Sequence, residues 1–135
     1  MELKYALDLQ PLKASAHNNL GLSYFEKLDY EKAVIAFSAA INLEPSSVHY
    51  NNRGLANLQG NFVTSALEDF DKACEAFGVG NYGGDPTIFF NRGNALLTQN
   101  RFTEALKDYD TALSLSPDNP KYIHAKGITY EALAA

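Results

Sequence analysis

Residues 78–84 read GVGNYGG and contain the spacing G-x-G-x-x-G, which lets a backbone approach the pyrophosphate of a dinucleotide. That chemistry requires a β-strand before the first glycine and an acidic residue about 20 positions further on. The residues from Ala66 to Phe77 instead show helical spacing, and Glu104 belongs to a later unit of the chain. The sequence therefore predicts an enlarged loop between helices over residues 78–85, with Tyr82 at its tip as a possible contact for a partner.

The other reactive side chains form no catalytic or metal-binding pattern. His17, His49 and His124 have no helical i, i+4 partner and no nearby cysteine or carboxylate at metal-ligand spacing. Cys74 is the single cysteine, so no internal disulfide can form, and its place beside a packing alanine predicts a half-buried thiol. We therefore expect no enzymatic activity, no metal site and no cofactor.

Composition limits the class of protein further. The chain has 135 residues, of which 46% are hydrophobic and 20% charged, as in a folded globular domain. Its net charge of −5 argues against nucleic acid as a partner, because phosphate binding requires a basic surface. Neither a run of about 18 apolar residues nor a signal peptide is present, so we expect a cytoplasmic protein without membrane insertion.

The chain repeats itself three times. Each 26-residue unit has a glycine at its second position, an alanine twelve residues later, an aromatic residue four further and another alanine three further. Apolar residues recur at spacings of three and four, so each unit predicts two amphipathic helices separated by a short polar break. Asp29, Asn61 and Asn100 lie in the breaks, where they can cap the second helix. The matched glycines and aromatic residues are Gly21 with Phe37, Gly54 with Phe70, and Gly93 with Tyr109.

Helix pairs with these residues at these offsets resemble the tetratricopeptide repeat family. The resemblance implies an all-α fold, an α-solenoid of helix-turn-helix repeats that forms a right-handed superhelix of about eight helices. In such a fold the first helices of the repeats line the concave face. We predict the second helix of a partial repeat over residues 1–13, repeats over 14–46, 47–85 and 86–119, and the first helix of a partial or capping repeat over 120–135.

The resemblance also implies a function, which is the binding of an extended peptide by an adaptor or scaffold. An asparagine lies two residues before each repeat glycine, and its amide offers a donor and an acceptor to a peptide backbone. Apolar and polar positions beside these asparagines would accept the alternating side chains of the bound segment. The predicted peptide-binding residues are Asn18, Asn19, Leu22, Asn51, Asn52, Leu55, Asn91, Asn94 and Lys121.

Some members of the family bind the carboxylate at the C-terminus of chaperones. They have a lysine three residues before the first repeat glycine and an asparagine directly after it. This sequence has Asn18 and Leu22 at those positions, or Asn51 and Leu55 if the site begins one repeat later. Only Lys121, with Asn52 or Asn91, matches parts of that site, so we do not expect a cochaperone.

A structural role is the alternative. The predicted half repeats at both ends would leave apolar helix faces without a neighbour, and Ile128, Tyr130 and Leu133 are poorly suited to water. The chain could be a structural subunit, or a fragment of a longer array, that associates head to tail through its terminal helices.

Two arginines have a matching acid in the same repeat. Arg53 and Arg92 each precede a repeat glycine, and Asp69 and Asp108 follow them by 16 residues. In the first repeat both positions are apolar, as Leu20 and Ala36. Because the pair changes together, the sequence predicts a salt bridge between the two helices of a repeat.

Overall fold

The computed structural model describes residues 13–77 and 85–135. Within them the chain forms seven α-helices and no β-strand. Their bounds are α1 Ala14–Glu26, α2 Tyr30–Leu43, α3 Ser47–Gln59, α4 Val63–Glu75, α5 Thr87–Thr98, α6 Phe102–Leu115 and α7 Pro120–Ala134. The predicted helix over residues 1–13, except its last residue, and Tyr82 in the predicted loop lie outside the described residues. None of the seven helices has the length and apolar character to cross a bilayer.

The helices stack in sequence order as an α-solenoid. The repeat pairs are α1 with α2, α3 with α4, and α5 with α6, and each pair packs against the next. The first helices α1, α3, α5 and α7 also contact one another in succession, whereas no two of the second helices α2, α4 and α6 do so in the described part of the chain. Since the layer whose members touch is the inner layer of a curved stack, the first helices form the concave face.

The repeat glycines receive the aromatic ring of the partner helix. A Cβ added to Gly54 would lie 2.6 Å from a ring carbon of Phe70, and one added to Gly93 would lie 2.6 Å from Tyr109. The rings of Phe37, Phe70 and Tyr109 are completely buried. This contact explains why glycine and an aromatic residue recur at matched positions, because no other residue lets the two helices approach so closely.

The break between the helices of a repeat differs in part from the prediction. Asp29 does cap α2, since its Oδ1 accepts a hydrogen bond of 3.2 Å from the backbone N–H of Lys32. Asn61 and Asn100, however, make no cap, and their φ angles of 70° and 58° are left-handed. Each ends the turn after the first helix, in a conformation that asparagine tolerates better than most residues. The capping prediction was wrong for these two.

Leu28 occupies the same left-handed position in the first repeat, with a φ angle of 63°. Its side chain is 70% exposed, so little packing offsets the cost of this conformation. We expect Leu28→Asn to raise the free energy of unfolding by about 1 kcal/mol, because asparagine adopts the left-handed region more readily. Urea unfolding measures the effect, with Leu28→Ala as the control that should gain nothing. An unchanged Leu28→Asn midpoint would contradict the assignment of strain to this residue.

Side chains at the helix starts fix the first helices that form the concave face. The Ser46 hydroxyl accepts a hydrogen bond from the N–H of His49 at 3.3 Å, and Asn119 accepts one from Lys121 at 2.9 Å. Asp85 accepts from the N–H of Thr87 at 2.9 Å, as its position before Pro86 predicts. These bonds satisfy N–H groups that an uncapped helix would leave without a partner.

Candidate functional site

Four asparagines link the first helices of the three repeats. The side-chain Nδ2 of Asn52 donates to the Oδ1 of Asn18 over 2.8 Å, and the Nδ2 of Asn91 donates to the Oδ1 of Asn51 over 2.9 Å. Each donor lies two residues before its own repeat glycine, and each acceptor lies three residues before the glycine of the preceding repeat. We call these four residues the asparagine ladder. It joins α1 to α3 and α3 to α5 on the layer of first helices.

The ladder bonds orient the acceptor amides. Asn18 and Asn51 each use an oxygen lone pair in the ladder, so both N–H groups of their Nδ2 remain outside these bonds. Both side chains are half-buried, and solvent reaches them. Asn91 is only 5% exposed, which makes it a support for Asn51 rather than a surface group. Asn19 is exposed on α1.

The remaining predicted positions have mixed surroundings. Leu22 is 40% exposed and Leu55 is half-buried, so both present apolar surface near the ladder. Lys121 is exposed at the start of α7. Asn94 accepts a hydrogen bond of 2.7 Å from the hydroxyl of Tyr109. Burial raises the pKa of Tyr109 to about 12, which keeps this hydroxyl protonated as the donor.

The ladder becomes aromatic at its last step. Phe90 stands where Asn18 and Asn51 stand in the earlier repeats, and Ala125 replaces the donor asparagine. The ring of Phe90 lies 4.9 Å from the ring of Tyr122, measured between centroids. The ring pair was not among the predicted site residues, although the change of acceptor to Phe90 and of donor to Ala125 in the same step of the repeat is visible in the sequence. The face thus changes from amide to aromatic character between α3 and α7.

The predicted salt bridge of the second repeat is confirmed. The Nη2 of Arg53 lies 2.7 Å from the Oδ1 of Asp69, and its Nε donates to both carboxylate oxygens at 3.0 and 3.1 Å. Asp69 also accepts from the Nδ2 of Asn57 at 2.9 Å, and Arg53 donates to the hydroxyl of Ser38 at 3.1 Å. Asn57 lies three residues after its repeat glycine, where the first repeat has Tyr24, and its amide donates to the buried acid Asp69.

The third repeat has the corresponding salt bridge, between Arg92 and Asp108, and an additional ion pair with an acid of the preceding repeat. Arg92 donates to both carboxylate oxygens of Asp108 at 2.8 Å, and its Nη1 reaches Asp71 on α4 at 3.1 Å. The hydrogen bond to Asp108 raises the pKa of Arg92 above its usual value. Since Arg53 and Arg92 are both bound to acids of second helices, neither adds a free positive charge to the concave face.

No metal-binding group appears among the residues that the structure describes. His49 is 5% exposed, and its Nδ1 lies 2.8 Å from the carbonyl oxygen of Glu44, so it joins two repeats. Cys74 is half-buried, as predicted. Burial raises the pKa of the Cys74 thiol to about 11, which is the opposite of what a nucleophilic cysteine requires.

The raised pKa predicts slow chemistry at Cys74. A shift from 9.0 to about 11 lowers the thiolate fraction at pH 8 about 100-fold, and the thiolate is the reactive form. A thiolate of higher pKa is also the stronger nucleophile, which cancels about half of this effect on a logarithmic scale. We therefore expect the folded chain to react with a disulfide reagent at least about tenfold more slowly than the same chain unfolded in 6 M guanidinium, with a small free thiol measured in both solvents as the reference. Equal rates would show that burial does not protect this thiol.

With this geometry established, similarity to known proteins assigns the class. The tetratricopeptide repeat family model matches residues 14–47 and 86–119, which together make up half of the chain. The chain therefore belongs to the tetratricopeptide repeat family.

Among curated proteins, the chain is 36% identical over 62 residues to sperm-associated antigen 1 of Mus musculus and to that of Rattus norvegicus. The match covers 46% of this chain but only 7% of each relative, so these relatives are far longer than the matched region.

Solved structures match over a much larger share of the chain. The first TPR domain of Spaghetti (RPAP3), bound to the HSP90 peptide SRMEEVD, has a TM-score of 0.83 at 25% identity, with 92% of this chain and 98% of that chain covered. The second TPR domain of human RPAP3, in complex with the HSP70 peptide SGPTIEEVD, has a TM-score of 0.78 at 23% identity, with coverages of 88% and 96%. MamA reaches 0.84 at 19% identity, with coverages of 97% and 74%. At 23% and 19% identity, the similarity to the second RPAP3 domain and to MamA shows a shared fold.

Proposed function

We propose that this chain is a non-catalytic adaptor or scaffold module that binds an extended segment of a partner protein along the layer of first helices. The asparagine ladder carries the proposal. Its bonds hold the amides of Asn18 and Asn51 in a fixed orientation, with their Nδ2 groups outside the ladder bonds. An extended segment has unpaired backbone carbonyls at regular intervals, and two oriented amide donors match such acceptors whatever the side chains of the segment are.

Apolar surface beside the ladder supplies the second part of the binding energy. Leu22 and Leu55 offer it near the two amides, and Phe90 with Tyr122 offers it further along the face. Side chains of an extended segment point alternately to opposite sides, so every second one can contact this surface. We propose Asn19 and Lys121, which are exposed, as contacts at the two ends, whereas Asn52, Asn91 and Asn94 act through the residues to which they bond.

The two RPAP3 domains bind chaperone peptides that end in EEVD. In this chain Asn18 and Asn51 occupy the positions where the family's carboxylate-binding site has lysine, and each accepts a ladder bond. A terminal carboxylate beside Asn18 or Asn51 would therefore lack the cation that compensates its loss of water there, and Lys121 lies at the far end of the face. We propose that the bound segment is internal to the partner's chain.

The peptide SRMEEVD tests this choice. We expect its affinity to fall less than about threefold when its C-terminal carboxylate is amidated, because asparagine and not lysine stands at positions 18 and 51. Isothermal titration calorimetry of both forms makes the comparison. A loss of tenfold or more on amidation, about 1.4 kcal/mol, would show a carboxylate site and contradict the proposal of an internal segment.

An isosteric variant tests the ladder itself. Asn18→Asp with Asn51→Asp keeps the oxygens that accept the ladder bonds and removes the amide donors. Peptides selected from a random display library on the purified chain serve as probes, and fluorescence anisotropy measures their affinity. We expect the double variant to bind at least about tenfold more weakly, since it loses two hydrogen bonds and gains two charges.

Asn42→Asp with Asn100→Asp is the matched control. Both residues are exposed and lie outside the first helices, and the change in net charge is the same. This control should bind within about twofold of the original chain, because a remote charge is screened by salt. Equal losses in both double variants would mean that net charge, and not the ladder, governs binding.

Two further expectations stay predictions. A cytoplasmic location rests on composition alone. Assembly through the terminal helices rests on Ile128, Tyr130 and Leu133, which are 43%, 53% and 46% exposed on α7.

A further inference from the structure

Three exposed apolar side chains lie together where the first and second repeats meet. Leu28 and Ile35 are each 70% exposed, and Phe62 is 58% exposed. All three line one groove of about 950 Å³, which we call the apolar groove. It lies between α2 and the end of α3, and both helices have their neighbours on either side. The groove is therefore inside the stack and not at one of its ends.

The other two repeats carry polar residues at all three positions. Counted from the repeat glycines, the counterparts are Asn61 and Asn100 for Leu28, Glu68 and Lys107 for Ile35, and Asp29 and Arg101 for Phe62. The groove between the second and third repeats accordingly has an ion pair in its lining, Arg101 with Glu104 at 2.7 Å. The packing of the repeats thus does not require apolar residues at these positions.

Two of the three side chains also forgo stability that a polar residue would give. Leu28 has a left-handed φ angle of 63°, which asparagine adopts more readily. Phe62 is the N-cap of α4 and makes no capping bond, whereas Asp29 at the same position accepts one from the N–H of Lys32 at 3.2 Å. Residues that break such local rules and also expose apolar surface are expected where a protein binds something.

The area of the groove favours a short segment over a second copy of this chain. A side chain of the size of phenylalanine presents about 200 Å² when it is fully exposed, so the three side chains offer roughly 400 Å². A stable dimer buries about 800 Å² on each partner. Two copies of a chain with net charge −5 also repel each other.

The charge of the groove favours a basic segment. Its lining carries two acids, Asp29 and Glu31, against one base, Lys27. Asp29 already faces Lys32, with Nζ and Oδ2 3.8 Å apart. A cation on the bound segment would therefore be placed best beside Glu31, which is exposed in the first turn of α2.

We propose that the apolar groove binds a short segment of a separate protein that carries a large apolar side chain and, beside it, a lysine or arginine. The apolar side chain contacts Leu28, Ile35 and Phe62, and the cation lies against Glu31. None of the four residues of the asparagine ladder lines this groove, so it is a second binding surface.

One triple variant gives the groove the side chains of the other repeats. Leu28→Asn, Ile35→Lys and Phe62→Asp introduce residues that the chain already has at positions 61, 107 and 29, and they leave the net charge unchanged. We expect this variant to unfold at a higher urea concentration than the original chain, because it gains a favourable turn residue and a capping aspartate. A loss of binding then has no explanation in a loss of folding.

Short peptides from a random display library are the probes, selected on the original chain after depletion on the triple variant. We expect the selected peptides to be enriched in a large apolar residue beside lysine or arginine. Fluorescence anisotropy should show binding at least about tenfold weaker to the triple variant and at least about threefold weaker to Ile35→Lys alone, which alters no turn. The ladder variant Asn18→Asp with Asn51→Asp should bind these peptides within about threefold of the original chain, which separates this proposal from the proposed function.

The cation is tested by charge reversal on both sides. Glu31→Lys should weaken binding of a selected peptide at least about threefold, and exchange of the basic residue of the peptide for glutamate should recover that loss in this variant only. Glu131→Lys is the control, because it makes the same change of charge at an exposed position on α7. It should bind within about twofold of the original chain.

Four results would overturn the proposal. The first is that no peptide distinguishes the original chain from the triple variant, and the second is enrichment of acidic in place of basic residues. The third is a dimer in sedimentation velocity that the triple variant abolishes, since the occupant would then be a second copy. The fourth is at least about tenfold tighter peptide binding by Leu3→Ser with Leu7→Ser, since residues 1–12 of the same chain would then compete for the groove. Binding of basic apolar peptides to a monomer, unchanged by that last variant, supports the proposal.

Discussion

Replacement of Asp69 by alanine is expected to lower the free energy of unfolding by about 3 kcal/mol, the largest loss that we expect from a single polar side chain. Asp69 is 5% exposed in its side chain and accepts hydrogen bonds from both Arg53 and Asn57. Without Asp69, the guanidinium of Arg53, which is 22% exposed, and the amide of Asn57, which is 8% exposed, both lose this acceptor. Donors that are buried without a partner lose their hydration and gain nothing in return.

Urea unfolding followed by circular dichroism measures the effect of Asp69→Ala. Asp110→Ala is the control, because it removes the same charge from an ion pair whose acid is 55% exposed, and we expect it to cost less than about 1 kcal/mol. Arg53→Ala should fall between the two, since Asp69 would keep its bond from Asn57. If Asp69→Ala and Asp110→Ala unfold at the same urea concentration, the buried bridge does not stabilise the fold.

Gly54→Ala should also destabilise the chain, by about 1–3 kcal/mol, although alanine ordinarily favours a helix. The new Cβ would lie 2.6 Å from the ring of Phe70, which is completely buried. The ring or the helix must therefore shift, and the strain exceeds the gain of about 1 kcal/mol from helix propensity. Thermal and urea unfolding both report the difference.

Gly127→Ala is the matched substitution with the opposite expected sign. It adds the same methyl to a helix glycine at the same repeat position, but apart from its chain neighbours and the backbone of its own helix nothing described lies within 4 Å of the new Cβ. We expect it to raise the free energy of unfolding by about 0.5–1 kcal/mol, which is the ordinary gain of alanine over glycine. If both variants changed stability in the same direction, contact with the ring would not be the reason for the repeat glycines.

The sequence predicts the helix pairs because their spacing has direct physical causes. The pair of Gly54 and Phe70, 16 residues apart, has a counterpart in every repeat, because the ring on the second helix must pack onto the glycine of the first helix. The structure confirms this contact. The conformation of the breaks is harder to predict from the sequence. Asn61 is equally compatible with a helix cap and with a left-handed turn, and the turn is favoured here because the first helix ends there.

Some contacts of the candidate site could be predicted from the sequence and others could not. The bridge between Arg53 and Asp69 could be predicted, since both residues change together from one repeat to the next. The ladder bond between Asn91 and Asn51 could not, because it joins positions at different offsets in two repeats, 40 residues apart. Such a pairing depends on how one repeat is rotated against the next, which local spacing does not determine.

The side-chain amide signals of the asparagines provide the most direct test of the proposed binding face. In a nitrogen–proton correlation spectrum of the chain titrated with a selected peptide, we predict shifts of the Nδ2 signals of Asn18 and Asn51 in proportion to the bound fraction. The Nδ2 signals of Asn42 and Asn100, which are exposed outside the first helices, should remain in place. Shifts of Asn42 and Asn100 with unchanged signals from Asn18 and Asn51 would contradict the account.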